Sequence, residues 1–368
     1  MPVAYPSRSL TFSTFASLFP QHDNCHEAQV WRQGVALFDP PEQKLTSAYI
    51  PPAMKHRLAA IQRRTALSEW LASTVAPTVA NALRAEASAS AVQKAFTRLT
   101  GYQIEEAVKD AASGGNLRLA MLLSQASGDS EFRADLEQQL TVWGTEGVDQ
   151  FVAEAYRKCL ALLAGVTHVW HSPRKSTGDV NVVKGLDWKR TFGLALWYGE
   201  GSEGGEGYEP ALRQYEENMG RDGAALPLPW YLEDPASENT PSALSTSSNE
   251  TTTSSTNRSN TDEADALLEL LRVATAATPL ERAIYPRAFS PSRLDYRMPW
   301  HLYILLSRAM RLKDFSDRQS SFDDLDSDVE GHSETADGVT CAYAAQLEAL
   351  GQIQEAVFVL LHLEGSDG

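Results

Sequence analysis

Apolar residues recur at intervals of three and four along most of this chain of 368 residues. In the stretch that starts at Ile104, for example, Ala107, Val108 and Ala111 follow at the spacing that places all four side chains on one face of an α-helix. We find no convincing run of alternating apolar and polar residues and no Asn-Gly hairpin turn, which are the signals of β-structure. The sequence therefore predicts an all-α protein.

The same spacing predicts a series of helices. Their predicted bounds are Ser7–Phe19, His26–Phe38, Pro52–Thr74, Trp188–Tyr198, Glu209–Asn218, Asp262–Thr275, Trp300–Leu312 and Tyr343–His362, with further short helices between Ala91 and Leu163. Pro77 is expected to restart the chain in a new direction, because proline lacks a backbone donor. Residues 116–125 are apolar on nearly every side, so we expect neighbouring helices to enclose them.

A turn glycine followed by an apolar helix occurs twice, in residues 115–123 and in residues 351–359. The glycine is followed two positions later by Leu117 or Ile353, and a small residue, Ala120 or Ala356, comes three positions after that. Stacked helix pairs use this pattern, because the small residue lets a neighbour approach. Two copies without a fixed period predict an irregular solenoid instead of a regular repeat array.

Charge and cysteine content narrow the class of partner. The formal net charge is -16, so a nucleic acid or an anionic membrane would repel most of the surface. We therefore expect no direct nucleic-acid binding and only indirect association with membranes. The 3 cysteines are spread widely, which predicts reduced thiols instead of a disulfide framework. Other proteins are the expected partners.

Three segments are too polar to bury an apolar core, and we expect them to be disordered insertions: residues 199–207, 235–260 and 316–338. The first contains a Gly-x-Gly-x-x-Gly pattern, but its glutamates would repel a phosphate. The last carries Asp324, Asp326 and Asp328 at the spacing of a calcium loop, without the glycine and the final glutamate of that loop. We predict no metal, no cofactor and no catalytic residue; a helical enzyme with a dispersed site is the alternative of a different class.

Several blocks of this sequence resemble the nucleoporin 96 family, the carboxyl-terminal product of the nucleoporin 98-96 precursor, called the nucleoporin 145 C-fragment in yeast. Their order and spacing hold across nearly the whole chain. The blocks are RRTALSEWL at 63–71, FTRLTG at 96–101, IEEA at 104–107, RLAMLLSQ at 118–125, LDWKR at 186–190, LPLPWYLE at 226–233, LDYRMPWHL at 294–302 and FVLLHL at 358–363.

The resemblance implies a scaffold component of the Y-shaped outer-ring coat of the nuclear pore complex, located at the nuclear envelope and supporting pore assembly and nucleocytoplasmic transport. It implies an irregular U-shaped α-helical solenoid of the ancestral coatomer element type. The implied parts are first trunk helices in 1–88, crown helices in 89–185, returning trunk helices in 186–315 with insertions near 199–207 and 235–260, a disordered acidic loop in 316–338, and a last trunk helix pair in 339–368 without the tail domain.

The resemblance also implies partners: other Y-complex nucleoporins, including a sister joined crown to crown, and a seven-bladed propeller coat protein that receives a blade from the family member. Nothing before Ser7 resembles that blade, and the sequence stops just after Leu363, where the family's tail begins. We therefore expect trunk and crown only.

A crown joint needs an exposed apolar helical surface, because burying that surface drives association. We expect this surface between Ala91 and Leu163, with Ile104, Val108, Leu136 and Leu140 as candidate interface residues. The alternative function is that of a coatomer-like helical adaptor or coat subunit in vesicle transport.

Overall fold

The structure is a computed structural model. It describes residues 4–40, 51–126, 129–173, 178–199, 207–233, 265–275, 278–318 and 332–364. The chain divides into two compact units. Residues 40–226 form what we call the central unit, and residues 1–39 together with 227–368 form the terminal unit.

The regular elements among the described residues of the central unit are helices and one pair of very short strands. Its helices are α3 (Pro52–Ala85), α4 (Ala91–Leu99), α5 (Ile104–Ser113), α6 (Leu117–Leu123), α7 (Ser130–Glu146), α8 (Glu154–Leu163), α9 (Trp188–Tyr198) and α10 (Glu209–Asn218), with a 3-10 turn at Asp149–Phe151. The antiparallel strands are β1 (Val169–Trp170) and β2 (Val180–Asn181). A pair of two-residue strands is too short to leave an alternating pattern in the sequence, and it does not change the all-α class.

Every regular element among the described residues of the terminal unit is helical. Its elements are α1 (Phe12–Ala16), α2 (His26–Phe38), α11 (Trp230–Glu233), α12 (Ala266–Ala274), α13 (Leu280–Ala283), α14 (Pro286–Phe289), α15 (Arg297–Tyr303) with a π-helical continuation at Ile304–Ala309, α16 (Glu334–Ala349) and α17 (Ile353–Leu360). The all-α class is thus confirmed for the part of the chain that the structure describes. No helix in that part is both long and apolar enough to cross a bilayer.

Helix α2 ends where Asp39 and Pro40 predict it to end, and Asp39 then serves a second helix. Its carboxylate accepts hydrogen bonds from the backbone N–H groups of Phe12 (3.0 Å) and Ser13 (2.9 Å) at the start of α1. These groups have no partner inside α1, so the carboxylate caps that helix. Because the cap lies at Phe12, helix α1 begins there, and it is shorter than the predicted Ser7–Phe19.

Helix α3 runs through Pro77 without a break. The predicted change of direction there is wrong, although proline removes one hydrogen bond of the helical ladder. Val75 and Val79 on either side of Pro77 are buried, as is Leu71 one turn earlier. Burial of this stripe offsets the lost hydrogen bond and keeps the helix continuous.

Helix α9 lies in the core of the central unit. All of its residues except Lys189 are buried, and the side chain of Asp187 caps it by accepting from the N–H of Arg190 at 2.9 Å. A helix that is buried on nearly every side is surrounded by its neighbours. Among them are α3 and α10.

Two expectations near the end of the chain need correction. Residues 334–338, expected to be disordered, form the first turn of α16, because Ser333 caps that helix through the N–H of Ala336 (3.1 Å) and donates to Asp317 (2.6 Å). The single helix predicted for Tyr343–His362 is two helices. Gly351 separates them with a φ of 77°, a left-handed conformation that suits glycine. The predicted division into trunk and crown stays a prediction.

Candidate docking surface

Helices α4, α5 and α6 form a stack in which each packs on the next. The turn before α5 passes through Tyr102 at φ 59° and Gln103 at φ -89° and ψ 63°. The turn before α6 repeats this conformation with Gly115 at φ 77° and Asn116 at φ -90° and ψ 62°. Because the two turns match, α5 and α6 begin at equivalent positions, at Ile104 and Leu117.

Polar contacts hold the base of this stack in place. Arg98 at the end of α4 bonds to Asp110 on α5 (3.2 Å) and to Gln103 in the turn (2.9 Å). The phenol of Tyr198 on α9 donates to the carbonyl of Leu99 at 3.0 Å, and burial raises the pKa of that phenol far above its ordinary value. Burial thus keeps this phenol protonated as a donor. The outer end of the stack therefore projects from a fixed base.

Helix α6 is the outermost helix of the stack, and its two faces differ sharply in burial. Leu119 and Leu123 point inward and are fully buried. Leu117 and Met121, one helical turn apart on the other side, are 66% and 67% exposed. The expectation that neighbours enclose residues 116–125 is therefore wrong for this face. We call the pair Leu117 and Met121 the α6 face.

The four residues nominated from sequence do not form such a face. Leu136 and Leu140 are 6% and 1% exposed on α7, which packs against α8, so they are core residues in this chain. Ile104 and Val108 are half-buried, because α5 lies between α4 and α6. They occupy on α5 the first and fifth positions that Leu117 and Met121 occupy on α6. The open surface on α6 thus lies within the predicted range from Ala91 to Leu163 but does not include the four nominated residues, and a role of Ile104 and Val108 in an interface stays a prediction.

Sequence reasoning missed the α6 face because an apolar helix looks the same whether or not another helix covers it. One signal was available. The block that begins at Gly115 recurs at Gly351, and the structure gives both glycines a φ of 77°. In both copies the first residue of the following helix, Leu117 or Ile353, is exposed. The repeat therefore marks two helices with open apolar sides.

The metal and nucleotide motifs that the sequence suggested find no support in the described part of the structure. No cluster of three or more His, Cys, Asp or Glu side chains with metal-binding geometry occurs among the described residues. The remaining glycines of the Gly-x-Gly-x-x-Gly pattern, Gly201 and Gly204, and the acidic trio at 324, 326 and 328 lie outside those residues.

Comparisons with known proteins all find similarity to nucleoporins. The family model described as Nup96, nuclear protein 96, matches residues 93–368. Nucleoporin nup189 of Schizosaccharomyces pombe is 30% identical over 345 residues, which cover 92% of this chain and 17% of that protein. Nuclear pore complex protein Nup98-Nup96 of Dictyostelium discoideum is 26% identical over 307 residues, covering 82% of this chain and 13% of the relative. Nuclear pore complex protein NUP96 of Arabidopsis thaliana is 32% identical over 173 residues, covering 47% and 15%.

Stacked helices with an open apolar side define an all-α protein that is suited to packing against other proteins. The match over residues 93–368 identifies it further: the chain belongs to the Nup96 family of nucleoporins. The predicted family and the predicted location, the nuclear pore complex at the nuclear envelope, are thereby confirmed. The chain spans between 13% and 17% of the length of these three relatives.

Proposed function

We propose that this chain is a structural scaffold component of the Y-shaped outer-ring coat of the nuclear pore complex and that it acts through helix-to-helix contacts with other coat nucleoporins. Family membership supports the pore assignment. The observation that carries the contact mechanism is the exposure of Leu117 and Met121 on a helix fixed to the core. Two large apolar side chains so exposed on one helical turn favour coverage by a partner.

The α6 face lies within residues 89–185, the segment expected to form the crown. We therefore assign the sister nucleoporin to this face and not to Leu136 and Leu140, which the chain itself buries. Burying a large apolar side chain contributes about 1.5–3 kcal/mol when it starts fully exposed. Since Leu117 and Met121 are each about two-thirds exposed, they supply about 1–2 kcal/mol apiece before the cost of association is subtracted.

We propose the remaining partners for the whole protein and not for this chain alone. The seven-bladed propeller protein stays a proposal at that level, because the matched relatives are several times longer than this chain. The net charge of -16 disfavours direct binding of nucleic acid and direct contact with an anionic membrane, so any membrane association would be indirect.

We also propose that the scaffold role involves no catalysis, and the pairing of charged side chains in a cavity supports this. One cavity of about 440 Å³ in the central unit is lined by Glu154, Lys158 and Arg190, among others. Lys158 pairs with Glu154 at 2.9 Å, and Arg190 donates to the hydroxyl of Thr100 at 3.0 Å. These charged groups bond to one another or to the protein, which favours a structural purpose for them over a chemical one.

The proposal is tested by placing charges on the α6 face. Leu117→Glu with Met121→Glu, introduced into the full-length protein in cells, should abolish co-purification of the sister nucleoporin, because the charges would have to be desolvated in the joint. Met54→Glu is the matched control, since Met54 is also exposed in the central unit. Retained sister binding by the double variant, or co-purification of vesicle-coat subunits in place of outer-ring nucleoporins, would overturn the proposal.

A further inference from the structure

The hairpin of α16 and α17 in the terminal unit presents a second open apolar surface. After the turn at Gly351, Ile353 and Val357 lie one helical turn apart on α17, and both are more than half exposed. Leu350 before the turn and Phe358 within the helix are exposed to a similar extent. We call these four residues the α17 face. The opposite side of the helix, with Ala356 and Val359, is buried.

The α17 face is held rigidly at its far end. Glu364, just beyond α17, has a carboxylate that is 6% exposed and accepts from the phenol of Tyr303 at 2.8 Å. It also accepts two hydrogen bonds of 2.8 Å from Arg318 and lies 3.1 Å from Arg308. This buried network ties the end of α17 to the π-helical segment, so a partner would meet a surface that is already ordered.

The two helices that carry this face bear fixed charges of one sign. Residues 332–364 contain no lysine and no arginine, whereas Glu334, Glu348 and Glu355 are exposed on the two helices. On these two helices the apolar side chains are therefore accompanied by exposed acidic residues and by no Lys or Arg; we call these glutamates the acidic border. A second copy of this chain would bring a second acidic border, and the like charges would oppose pairing. A partner with Lys or Arg beside its apolar residues would instead be attracted.

We propose that the α17 face docks an amphipathic α-helix of another protein, with an apolar stripe flanked by lysine or arginine residues. The central unit shows how such a face is covered. On α5 the equivalent positions, Ile104 and Val108, are half-buried because α5 lies between two other helices. A helix laid on α17 would continue the stack of α16 and α17 in the same way. This inference concerns a different face from the sister joint and does not depend on it.

The experiment uses two labelled helical peptides of about 18 residues, or five turns. Both carry the same leucine stripe; one has flanking lysines and the other has glutamates at the same positions. We expect the lysine peptide to bind the intact chain in fluorescence anisotropy, with an affinity that falls as salt is raised. The glutamate peptide should not bind measurably. Equal binding of the two peptides, or of neither, would overturn the proposal.

Variants locate the binding. Ile353→Ser with Val357→Ser should weaken the lysine peptide about tenfold. Leu117→Ser with Met121→Ser on α6 is the matched control and should leave the affinity unchanged. A similar loss in both variants would indicate nonspecific adhesion and refute the assignment.

Because the replaced side chains are exposed, circular dichroism should show an intact fold. Phe358→Ser provides a second test of the same face. Concentration-dependent dimers that Val357→Ser abolishes would identify a second copy as the occupant instead and overturn the proposal.

Discussion

Gly34 in the middle of α2 is in direct contact with Phe12 of α1. A Cβ atom added at Gly34 would overlap two carbons of the Phe12 ring and lie only 2.7 Å from its Cγ. The ring itself is fully buried and stacks on Phe38 with a centroid distance of 5.2 Å. It cannot move away from Gly34 without losing this packing. Gly34→Ala therefore combines two opposing effects on stability. The higher helix propensity of alanine stabilises α2, and the overlap of its Cβ atom with Phe12 destabilises the packing.

The expected magnitude follows from two opposing effects. Alanine favours a helix interior over glycine by about 1 kcal/mol. Overpacking a core typically costs about 1–3 kcal/mol, and here the ring of Phe12 must shift. The difference is a net loss of up to about 2 kcal/mol in the free energy of unfolding for Gly34→Ala.

Gly338 in α16 provides the matched control within the same unit. It is exposed, and a Cβ built there meets nothing within 4 Å. Gly338→Ala should therefore stabilise the protein by about 0.5–1 kcal/mol. Urea denaturation followed by circular dichroism measures both changes. If Gly34→Ala stabilised the protein as Gly338→Ala does, or destabilised it equally after Phe12→Ala, the inferred contact would be refuted.

Three further outcomes follow from buried groups. Glu364→Ala should cost about 3 kcal/mol in urea unfolding, because it removes the mostly buried carboxylate that accepts from Tyr303 and Arg318 and lies beside Arg308; a change near zero would show that the network contributes nothing. Burial raises the pKa of Cys159 to about 12, so a thiol reagent should modify Cys25 and Cys341 at once and Cys159 only after unfolding; immediate reaction of all three would contradict this. Burial lowers the pKa of His301, so the unfolded state binds the proton at a higher pH than the folded state does. The free energy of unfolding should therefore fall as the pH drops below about 6.5. His301→Asn should reduce this pH dependence, and an unchanged pH profile in the variant would exclude His301 as its source.

Helices with strong local signals were predicted to the residue. His26–Phe38 begins after a cap and ends at Asp39-Pro40, and both Trp188–Tyr198 and Glu209–Asn218 have the predicted bounds. In these segments the periodicity, the caps and the stop residues agree with one another, so tertiary packing has nothing to override.

Expectations that depended on neighbours were less successful. Pro77 looks like a helix terminus from its chemistry alone, but the burial of Val75 and Val79 keeps the helix continuous. Likewise, the apolar pattern of α6 matches that of a core helix, since sequence does not reveal which helix of a stack is the last. Burial in three dimensions distinguishes Leu140, a core residue, from Met121, a surface residue.

Methionine oxidation measures the coverage of the α6 face most directly. Met121 is 67% exposed and Met54 is 52% exposed in the central unit, so peroxide should oxidise both thioethers readily in the isolated chain. In assembled outer-ring coat, a partner on the α6 face should slow the oxidation of Met121 severalfold and leave Met54 unchanged. If Met121 reacted as fast in the coat as in the isolated chain, the α6 face would not be the docking surface.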